Sequence, residues 1–518
     1  MNQLSDTPGW VVRPTLPTPS LEDNSADADR LCRLLRRELG FEAIDMDLDL
    51  QRRLPGLLRE NDYSLRCLVF ENKGRGILIH AGPDDERMPL TGLAIDLGTT
   101  RVVMRLVDLD KRRILAETAF DNPQIAIGPD VLSRIHYTDQ PEGLAELHRM
   151  IIEGINRHGT DMARSCGLEV DTIHLITVAG NTAMGHLFAG LPVHWMIREP
   201  YIPAVNSFGL MSAKELGLLV APSCRVMVFP NVGSYFGGDL IAGILYAGLH
   251  TRSEIAILVD VGTNAEVVVG NKDWLMACAG AAGPALEGGM SRMGTTAAPG
   301  VIDRVRIDSQ TGAFDLHTIE NLPAVGICGS GVIDLAAQLF LAGMIDIRGK
   351  FQPDKCGWRY TVQQDLARMI IVPAAESGNG GDLCISQADM DSLVRSKAAM
   401  YTILETITGT MGIALSDLQT FFVAGTFGSL IDPRSAITIG MIPDLPLERY
   451  HSLGNSSLGG ATEALISRDL PATMEAVRDS ITYLELNVNQ DFMNRFSAAK
   501  FIPHTDGTRF PSVPAAGH

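Results

Sequence analysis

The stretch Gly92–Thr100, GLAIDLGTT, is echoed at Leu258–Asn264 by LVDVGTN. In each copy an apolar, β-prone run ends in a carboxylate, turns through glycine and threonine, and is followed by a second β-prone run. This pattern predicts a β-hairpin in each half of the chain. One D-x-G-T sequence fits an ordinary hairpin just as well, but two copies that open similar blocks argue against that simpler interpretation.

The chemistry of the predicted turns suits a phosphate chain. Gly98 and Gly262 let the backbone approach an anion closely, and successive N–H groups with the Thr99 and Thr263 hydroxyls can bind its oxygens. A carboxylate next to phosphates repels them unless a cation lies between. Asp96 and Asp260 are therefore candidate ligands of a hydrated magnesium ion.

Composition and charge exclude several classes of protein. A chain of 518 residues predicts two to four domains. The formal charge of −18 argues against nucleic acid or an anionic membrane as the main partner. The longest apolar run, near Leu240–Leu249, is far shorter than a membrane span, and the N-terminus has no signal-peptide pattern. We therefore expect a cytoplasmic protein.

The eight cysteines are scattered, and no two are closer than 28 residues. Without a C-x₂-C sequence, the chain has neither a zinc ribbon nor an iron–sulfur binding run. Four distant cysteines could still converge in space, so the spacing by itself leaves that alternative open.

The order of predicted elements divides the chain into five parts. The proline-rich start is expected to be poorly ordered or to be a linker, and helices over Asp27–Leu39 and Asp47–Glu60 with a following hairpin predict a small α+β module. The predicted parts are a tail or linker (1–26), this module (27–91), a first lobe (92–253), a second lobe (254–500) and a C-terminal tail (501–518).

Two further segments repeat between the halves. A predicted strand runs into VAGNTAMGH at Val178–His186, and another runs into VAGTFGSL at Val423–Leu430. Each reads as a strand, a glycine turn and a helix start, where backbone N–H groups can bind an anion. A tight helix–strand contact explains Gly180 equally well. With the D-x-G-T hairpins, these segments give the internal duplication two anchors in each half.

These motifs carry a family resemblance. The set IDLGTT, VAGNTAM, VDVGTN, GICGSG and VAGTFG resembles the five nucleotide motifs of the actin, sugar-kinase and heat-shock-chaperone ATPase superfamily. The resemblance is sharper with the reductive activators of corrinoid proteins, over roughly residues 27–500. It rests on NPQIAIGPDVLSR (Asn122–Arg134), VAGNTAMGHLFAGL, VDVGTNAEVVVG, AAGPALEGG, GICGSGVID, AGTFGSLID and LGNSSLGGA (Leu453–Ala461).

The resemblance implies an α/β fold, namely a duplicated two-lobe actin-like ATPase with a small N-terminal α+β module that looks like the family's middle domain. Mg-ATP would be enclosed as the lobes close, with Asp96 and Asp260 holding the hydrated metal and Gly425 and Gly428 packed against the adenosine. The other implied nucleotide-binding residues are Gly98, Thr99, Thr100, Gly180, Asn181, Gly262, Thr263, Asn264, Gly329 and Gly331.

Asp239 is the candidate for the carboxylate that positions the attacking water. It lies nine residues before Gly248, the first residue of a Gly-Leu pair, and chaperone ATPases have a carboxylate at that distance from such a pair. The alternative is an aspartate at a helix N-terminus that only complements the helix dipole.

The function implied by the resemblance is ATP-dependent activation of a corrinoid protein or corrinoid methyltransferase, in which inactive Co(II) is reduced to Co(I). Characterised members carry an iron–sulfur domain that this sequence does not show, so we expect no iron–sulfur cofactor here and a separate ferredoxin-type electron donor. A homodimer is compatible with the sequence. Two alternatives stay open: a small-molecule kinase of the same superfamily, and a nucleotide-gated binding module that escorts a corrinoid methyltransferase.

Overall fold

The computed structural model describes residues 9–85, 87–262, 265–280, 293–295, 297–308, 310–425, 431–486 and 490–514. By its contacts the chain divides into two compact units. Unit 1 comprises Met1–Tyr246 and Ser456–Ser480, and unit 2 comprises Ala247–Asn455 and Ile481–His518. Within the described ranges, no helix combines the length and apolar character needed to cross a membrane.

The first part of unit 1 is a small α+β module with the sheet order β1-β3-β4-β2. Its elements are β1 (Val11–Val12), α1 (Asp27–Leu39), β2 (Ile44–Met46), α2 (Leu48–Glu60), β3 (Arg66–Asn72) and β4 (Arg75–Gly82). Helix α1 buries Leu31 and Leu35, each contributing about 2 kcal/mol, and ends where Gly40 adopts a left-handed φ of 75°.

Residues 10–12 pack on the rest of this module, which corrects the expectation of a poorly ordered segment for this part of residues 1–26. Trp10 is fully buried and stacks on Phe70, and strand β1 pairs antiparallel with β3. Proline-rich composition lowers the tendency to form regular structure, but it does not prevent a large aromatic ring from filling a core.

The main sheet of unit 1 has the order β7-β6-β5-β8-β10-β9. Its strands are β5 (Thr91–Leu97), β6 (Arg101–Asp108), β7 (Arg113–Asp121), β8 (Ile173–Gly180), β9 (Leu210–Ser212) and β10 (Arg225–Val228). The accompanying helices are α3 (Val131–Tyr137), α4 (Gly143–Ser165), α5 (Thr182–Ala189) and α6 (Gly238–Ala247). Strands β5, β8 and β10 are parallel, so their carboxyl ends meet at one edge, where binding sites of open α/β sheets lie.

Strands of the second half form three sheets in the described ranges, with the orders β21-β20-β11-β12-β13-β22, β15-β14-β16 and β17-β18-β19. The strands are β11 (Ala256–Val261), β12 (Ala265–Asn271), β13 (Trp274–Gly280), β14 (Val301–Ile307), β15 (Phe314–Thr318), β16 (Gly326–Ile327), β17 (Tyr360–Gln363), β18 (Leu366–Val372), β19 (Leu383–Ser386), β20 (Thr420–Ala424), β21 (Tyr450–Gly454) and β22 (Ile481–Tyr483). The helices are α7 (Gly329–Leu341), α8 (Pro353–Cys356), α9 (Gln387–Thr410), α10 (Pro433–Thr438), α11 (Ser456–Ile466), α12 (Leu470–Ser480) and α13 (Gln490–Ala499).

The two main sheets repeat one topology. The order β7-β6-β5-β8-β10 in unit 1 matches β13-β12-β11-β20-β21 in unit 2. The register also agrees, because Asp96 pairs with Ala179 of β8 and Asp260 pairs with Ala424 of β20. The duplication predicted from the D-x-G-T and V-A-G sequences is therefore present strand for strand.

Two predicted boundaries differ from the structure. Helices α11 and α12 follow a strand of unit 2, yet they group with unit 1, so residues 254–500 are not one continuous lobe. The end of the chain is not a loose tail where it is described, since Phe510 is buried and the side-chain nitrogen of the buried Lys397 donates to the carbonyls of Phe501 and Pro503. Sequence alone could not reveal either, because both depend on contacts between distant segments.

Candidate functional site

The turn between β5 and β6 requires glycine at its first position. A Cβ at Gly98 would lie 2.3 Å from the carbonyl oxygen of Arg101, a distance that real Cβ atoms essentially never show. Two buried side chains donate hydrogen bonds to the carbonyls of the turn. Asn122 Nδ2 donates to the Gly98 oxygen at 2.9 Å, and an Arg134 guanidinium nitrogen donates to the Thr99 oxygen at 2.6 Å.

These two hydrogen bonds fix the direction of the turn's N–H groups. In a planar trans peptide the N–H points opposite to the preceding C=O. Because the carbonyls of Gly98 and Thr99 point towards Asn122 and Arg134, the N–H groups of Thr99 and Thr100 point the other way. The turn is thus built to present successive N–H groups on one side, which is the arrangement that binds anions.

Arg134 is the residue on which this turn depends most, and the sequence analysis gave it no role. It is fully buried, and it also donates to the carbonyl of Gly128 and to Gln124 Oε1. Burial lowers the pKa of Arg134 to about 10, so the guanidinium stays charged at neutral pH. The signal was present in the motif Asn122–Arg134, which begins and ends with the two side chains that hold the turn.

Asn181 joins the end of β8 to this turn. Its Nδ2 donates to Thr99 Oγ1 at 3.0 Å, and its Oδ1 accepts from the Met184 N–H as the N-cap of α5. A Cβ at Gly180 would lie 2.8 Å from the Leu97 oxygen, so the close contact that requires this glycine is between the neighbouring strands β8 and β5. The structure therefore brings Thr99 and Asn181 into direct contact.

Asp239 lies in the first turn of α6, close to the same corner. A Cβ at Gly237 would be 2.5 Å from Asn181 Cα and 2.6 Å from Asp239 Oδ1, so Asn181 and the Asp239 carboxylate lie on either side of Gly237. Asp239 Oδ1 also accepts the Leu240 N–H at 2.9 Å. Its carboxylate is thus placed beside the turn and also complements the helix start, which keeps both interpretations of Asp239 open.

Asp96 lies on β5, two residues before Gly98, and accepts a hydrogen bond from Ser457 of α11. The distance between Ser457 Oγ and Asp96 Oδ1 is 2.8 Å, although the two residues are 361 positions apart. Unit 1 therefore brings Asp96, Thr99, Asn181 and Asp239 to the carboxyl edge of its main sheet. These groups can hold a hydrated cation, accept an oxyanion and orient a water molecule.

Unit 2 repeats part of this arrangement. Gly425 has a left-handed φ of 84°, and a Cβ there would lie 2.9 Å from Asp260 Oδ1. Gly331 instead packs on another sheet, because its Cβ would lie 2.5 Å from the Ile302 oxygen, and Gly329 is the first residue of α7 beside it. Thr263, Asn264 and Gly428 lie outside the described residues.

Three family models cover nearly the whole chain. The RACo linker region matches residues 6–87, the RACo middle region matches residues 91–252, and the C-terminal domain of RACo, the ASKHA domain, matches residues 254–514. The last of these spans about half of the sequence. The chain belongs to the RACo family.

Relatives of this RACo-family chain agree with that assignment. The corrinoid activation enzyme RamQ of Eubacterium limosum is 31% identical over 474 residues, which are 87% of this chain and 79% of RamQ. The [Co(II) methylated amine-specific corrinoid protein] reductase of Methanosarcina barkeri is 23% identical over 78% of this chain and 75% of that protein. A solved reductive activator for corrinoid, iron–sulfur protein is 37% identical with a TM-score of 0.87, over 99% of this chain and 82% of that one.

The RACo family models correct one expectation. The α+β module at residues 27–91 was expected to resemble the middle domain of the family, but the middle region matches residues 91–252 and the module falls in the linker region. The predicted fold class, an actin-like α/β ATPase fold, is confirmed by the match to the ASKHA domain and by the duplicated sheets.

Proposed function

We propose that this chain is an ATP-dependent activator of a corrinoid protein, which supports reduction of the inactive Co(II) corrinoid to Co(I). The observation that carries the proposal is the turn after β5, where Asp96, Thr99, Asn181 and Asp239 converge in a chain of the RACo family. The similarity to RamQ, a corrinoid activation enzyme, supports the choice of partner.

The residues around the turn fit Mg-ATP. In the proposal, Asp96 orients the waters of a bound magnesium ion, and the outward N–H groups and hydroxyl of the turn bind phosphate oxygens. Asp239 orients the water that attacks the terminal phosphate. Asp260 occupies the equivalent register in unit 2 and is likewise proposed as a carboxylate for hydrated magnesium. Magnesium supplies charge neutralisation for the phosphates when it is bound.

The proposed coupling between ATP and reduction is thermodynamic. A nucleotide can shift the protein between two states only by binding one of them more tightly, and the partner must then bind those states differently. For an activator, the two states must therefore differ in their affinity for the Co(II) form of the partner. Reciprocity then requires the Co(II) partner to change the affinity for ATP by the same factor.

The electrons are proposed to come from a separate, ferredoxin-type donor. An iron–sulfur cluster needs thiolates, and burial raises the pKa of Cys67 and of Cys278 to about 12 each and raises that of Cys224 as well. All eight cysteines are free in the described structure. Five of them are buried, and their burial and spacing favour a role as small apolar side chains.

We therefore expect protein purified without oxygen to be colourless and to hold no stoichiometric iron. Anaerobic iron and sulfide analysis measures this directly. Co(I) should form in a mixture of this chain, ATP and a Co(II) corrinoid protein only after a ferredoxin-type or strong chemical reductant is added. Two or more irons per chain would contradict the proposal of a separate donor, since the chain itself would then carry electrons.

Phosphate release with candidate partners tests the function as a whole. Corrinoid proteins poised as Co(II) should stimulate steady release of phosphate from ATP, while the Co(I) absorption appears in parallel once reductant is present. Release that instead matches the amount of a small-molecule acceptor would identify a kinase. Nucleotide binding without any release would identify a nucleotide-gated binding module. The same partners reduced to Co(I) beforehand are the control.

A further inference from the structure

The internal duplication extends to helices α6 and α11, which follow the equivalent strands β10 and β21. The second residue of α6 is Asp239, and the second residue of α11 is Ser457; a buried leucine comes next in both helices. Sequence order and position in the sheet therefore make Ser457 the counterpart of Asp239 in the second half of the chain.

The packing of the two helices supports this equivalence. A Cβ at Gly460 would lie 2.3 Å from the carbonyl oxygen of Ala242, and a Cβ at Gly459 would lie 2.7 Å from the Tyr246 ring. Ala242 is three residues after Asp239, and Gly460 is three residues after Ser457. Contact between equivalent positions is what a two-fold relation between the helices produces.

Ser457 is buried, and its hydroxyl is hydrogen-bonded to the carboxylate of Asp96. The residue is 6% exposed, and its hydroxyl donates to Asp96 Oδ1 at 2.8 Å. The hydrogen bond occupies one oxygen of Asp96 and restricts rotation of the carboxylate about its last torsion. The second oxygen is thereby held in one direction, and partners of this kind set the orientation of metal-binding carboxylates.

We propose that Ser457 is the positioning residue for Asp96 in binding hydrated magnesium. The inference rests on the proposed function, because it assumes that Asp96 holds the cation of Mg-ATP. It also explains why the two halves differ at this position. A carboxylate at residue 457 would face Asp96 at hydrogen-bonding distance, and two like charges that close disfavour the ionised form that magnesium needs.

The experiment compares ATP dissociation constants with excess Mg²⁺ and with EDTA, by calorimetry on the full chain. In the parent, Mg²⁺ should tighten binding, and in Ser457→Ala this tightening should fall by about tenfold. Binding in EDTA should be unchanged, since Ser457 acts through the metal ligand. Ser457→Thr keeps the hydroxyl and should restore the effect. Ser457→Cys, with a thiol that donates only weakly, replaces Ser457→Ala if the latter does not fold.

Thr462→Val is the matched control, because Thr462 is on the same helix and its hydroxyl donates to the Leu458 carbonyl instead of to Asp96. This variant should keep the full effect of Mg²⁺. If Ser457→Ala keeps the parental effect of Mg²⁺ and Asp96→Asn loses that effect, Ser457 does not position Asp96. The proposed function would then still stand. Equal weakening with Mg²⁺ and with EDTA would show a purely structural serine. A parent that binds no nucleotide would overturn the proposed function and this inference together.

Discussion

Asp239→Asn is expected to bind ATP about as tightly as the parent and to hydrolyse it roughly a hundredfold more slowly. The carboxylate borders the turn next to Asn181, where it can orient a water molecule and accept its proton. An amide of the same shape keeps the packing and the contact with the Leu240 N–H, but it is a poor base. Because the loss acts on the transition state, it should appear in kcat while ATP affinity stays the same.

Single-turnover phosphate release and equilibrium ATP binding measure the two quantities separately. Asp161→Asn is the matched control, since it removes one negative charge from an exposed position of α4 in the same unit. That control should hydrolyse ATP at the parental rate. If Asp239→Asn does so too, Asp239 only complements the start of α6, and the water-positioning group must be sought elsewhere.

Arg134→Met is expected to lower the free energy of unfolding by about 3 kcal/mol and to weaken ATP binding by more than about tenfold. The side chain is fully buried, and its removal leaves the carbonyls of Thr99 and Gly128 without this donor; each buried group left unsatisfied costs about 1–3 kcal/mol. The Thr99 carbonyl would then be free to turn, so the N–H groups of the turn would no longer be held in the orientation that binds phosphate.

Denaturant unfolding of the variant measures the stability change, and calorimetric titration with Mg-ATP measures the affinity. Arg164→Met is the matched control, because Arg164 is exposed near the end of α4 and its loss should change neither quantity. Arg134→Lys should also show lower stability and weaker ATP binding than the parent, since one ammonium group cannot replace the planar guanidinium with its several N–H donors. Parental ATP affinity in a destabilised Arg134→Met would mean that the turn keeps its shape without Arg134.

Hydrogen bonds within unit 1 connect Asp96, the end of strand β8 beside the turn after β5, and helix α11, which carries Ser457. Thr177 of β8, three residues before Gly180, donates to the Ala461 carbonyl of α11 at 2.7 Å. The strand that leads to Asn181 and the strand that carries Asp96 are thus both bonded to one helix. A displacement of the turn after β5 would therefore be transmitted to α11 through these hydrogen bonds.

Local sequence was sufficient for the elements that repeat. The D-x-G-T hairpins were predicted because an apolar run, a glycine turn and a second run determine a hairpin within some fifteen residues. The V-A-G strands were predicted because an apolar, β-prone run ends at a glycine turn. The family motifs then identified the fold class and the RACo family, which the comparisons confirm. Asp96 and Thr99 could be named from their place at a strand end, whereas Asn181 was named only because the family resemblance implied it.

The partners of those residues were decided only by the tertiary structure. Ser457 reaches Asp96 across 361 positions, and Arg134 reaches Thr99 across 35. The direction of a side chain across such distances depends on how helices pack on the sheet, and no local periodicity encodes it. Likewise, α11 and α12 belong to unit 1 because their contacts lie there, even though the chain reaches them from a strand of unit 2. Sequence determined the candidate groups for the site, and packing determined which side chains hold those groups in position.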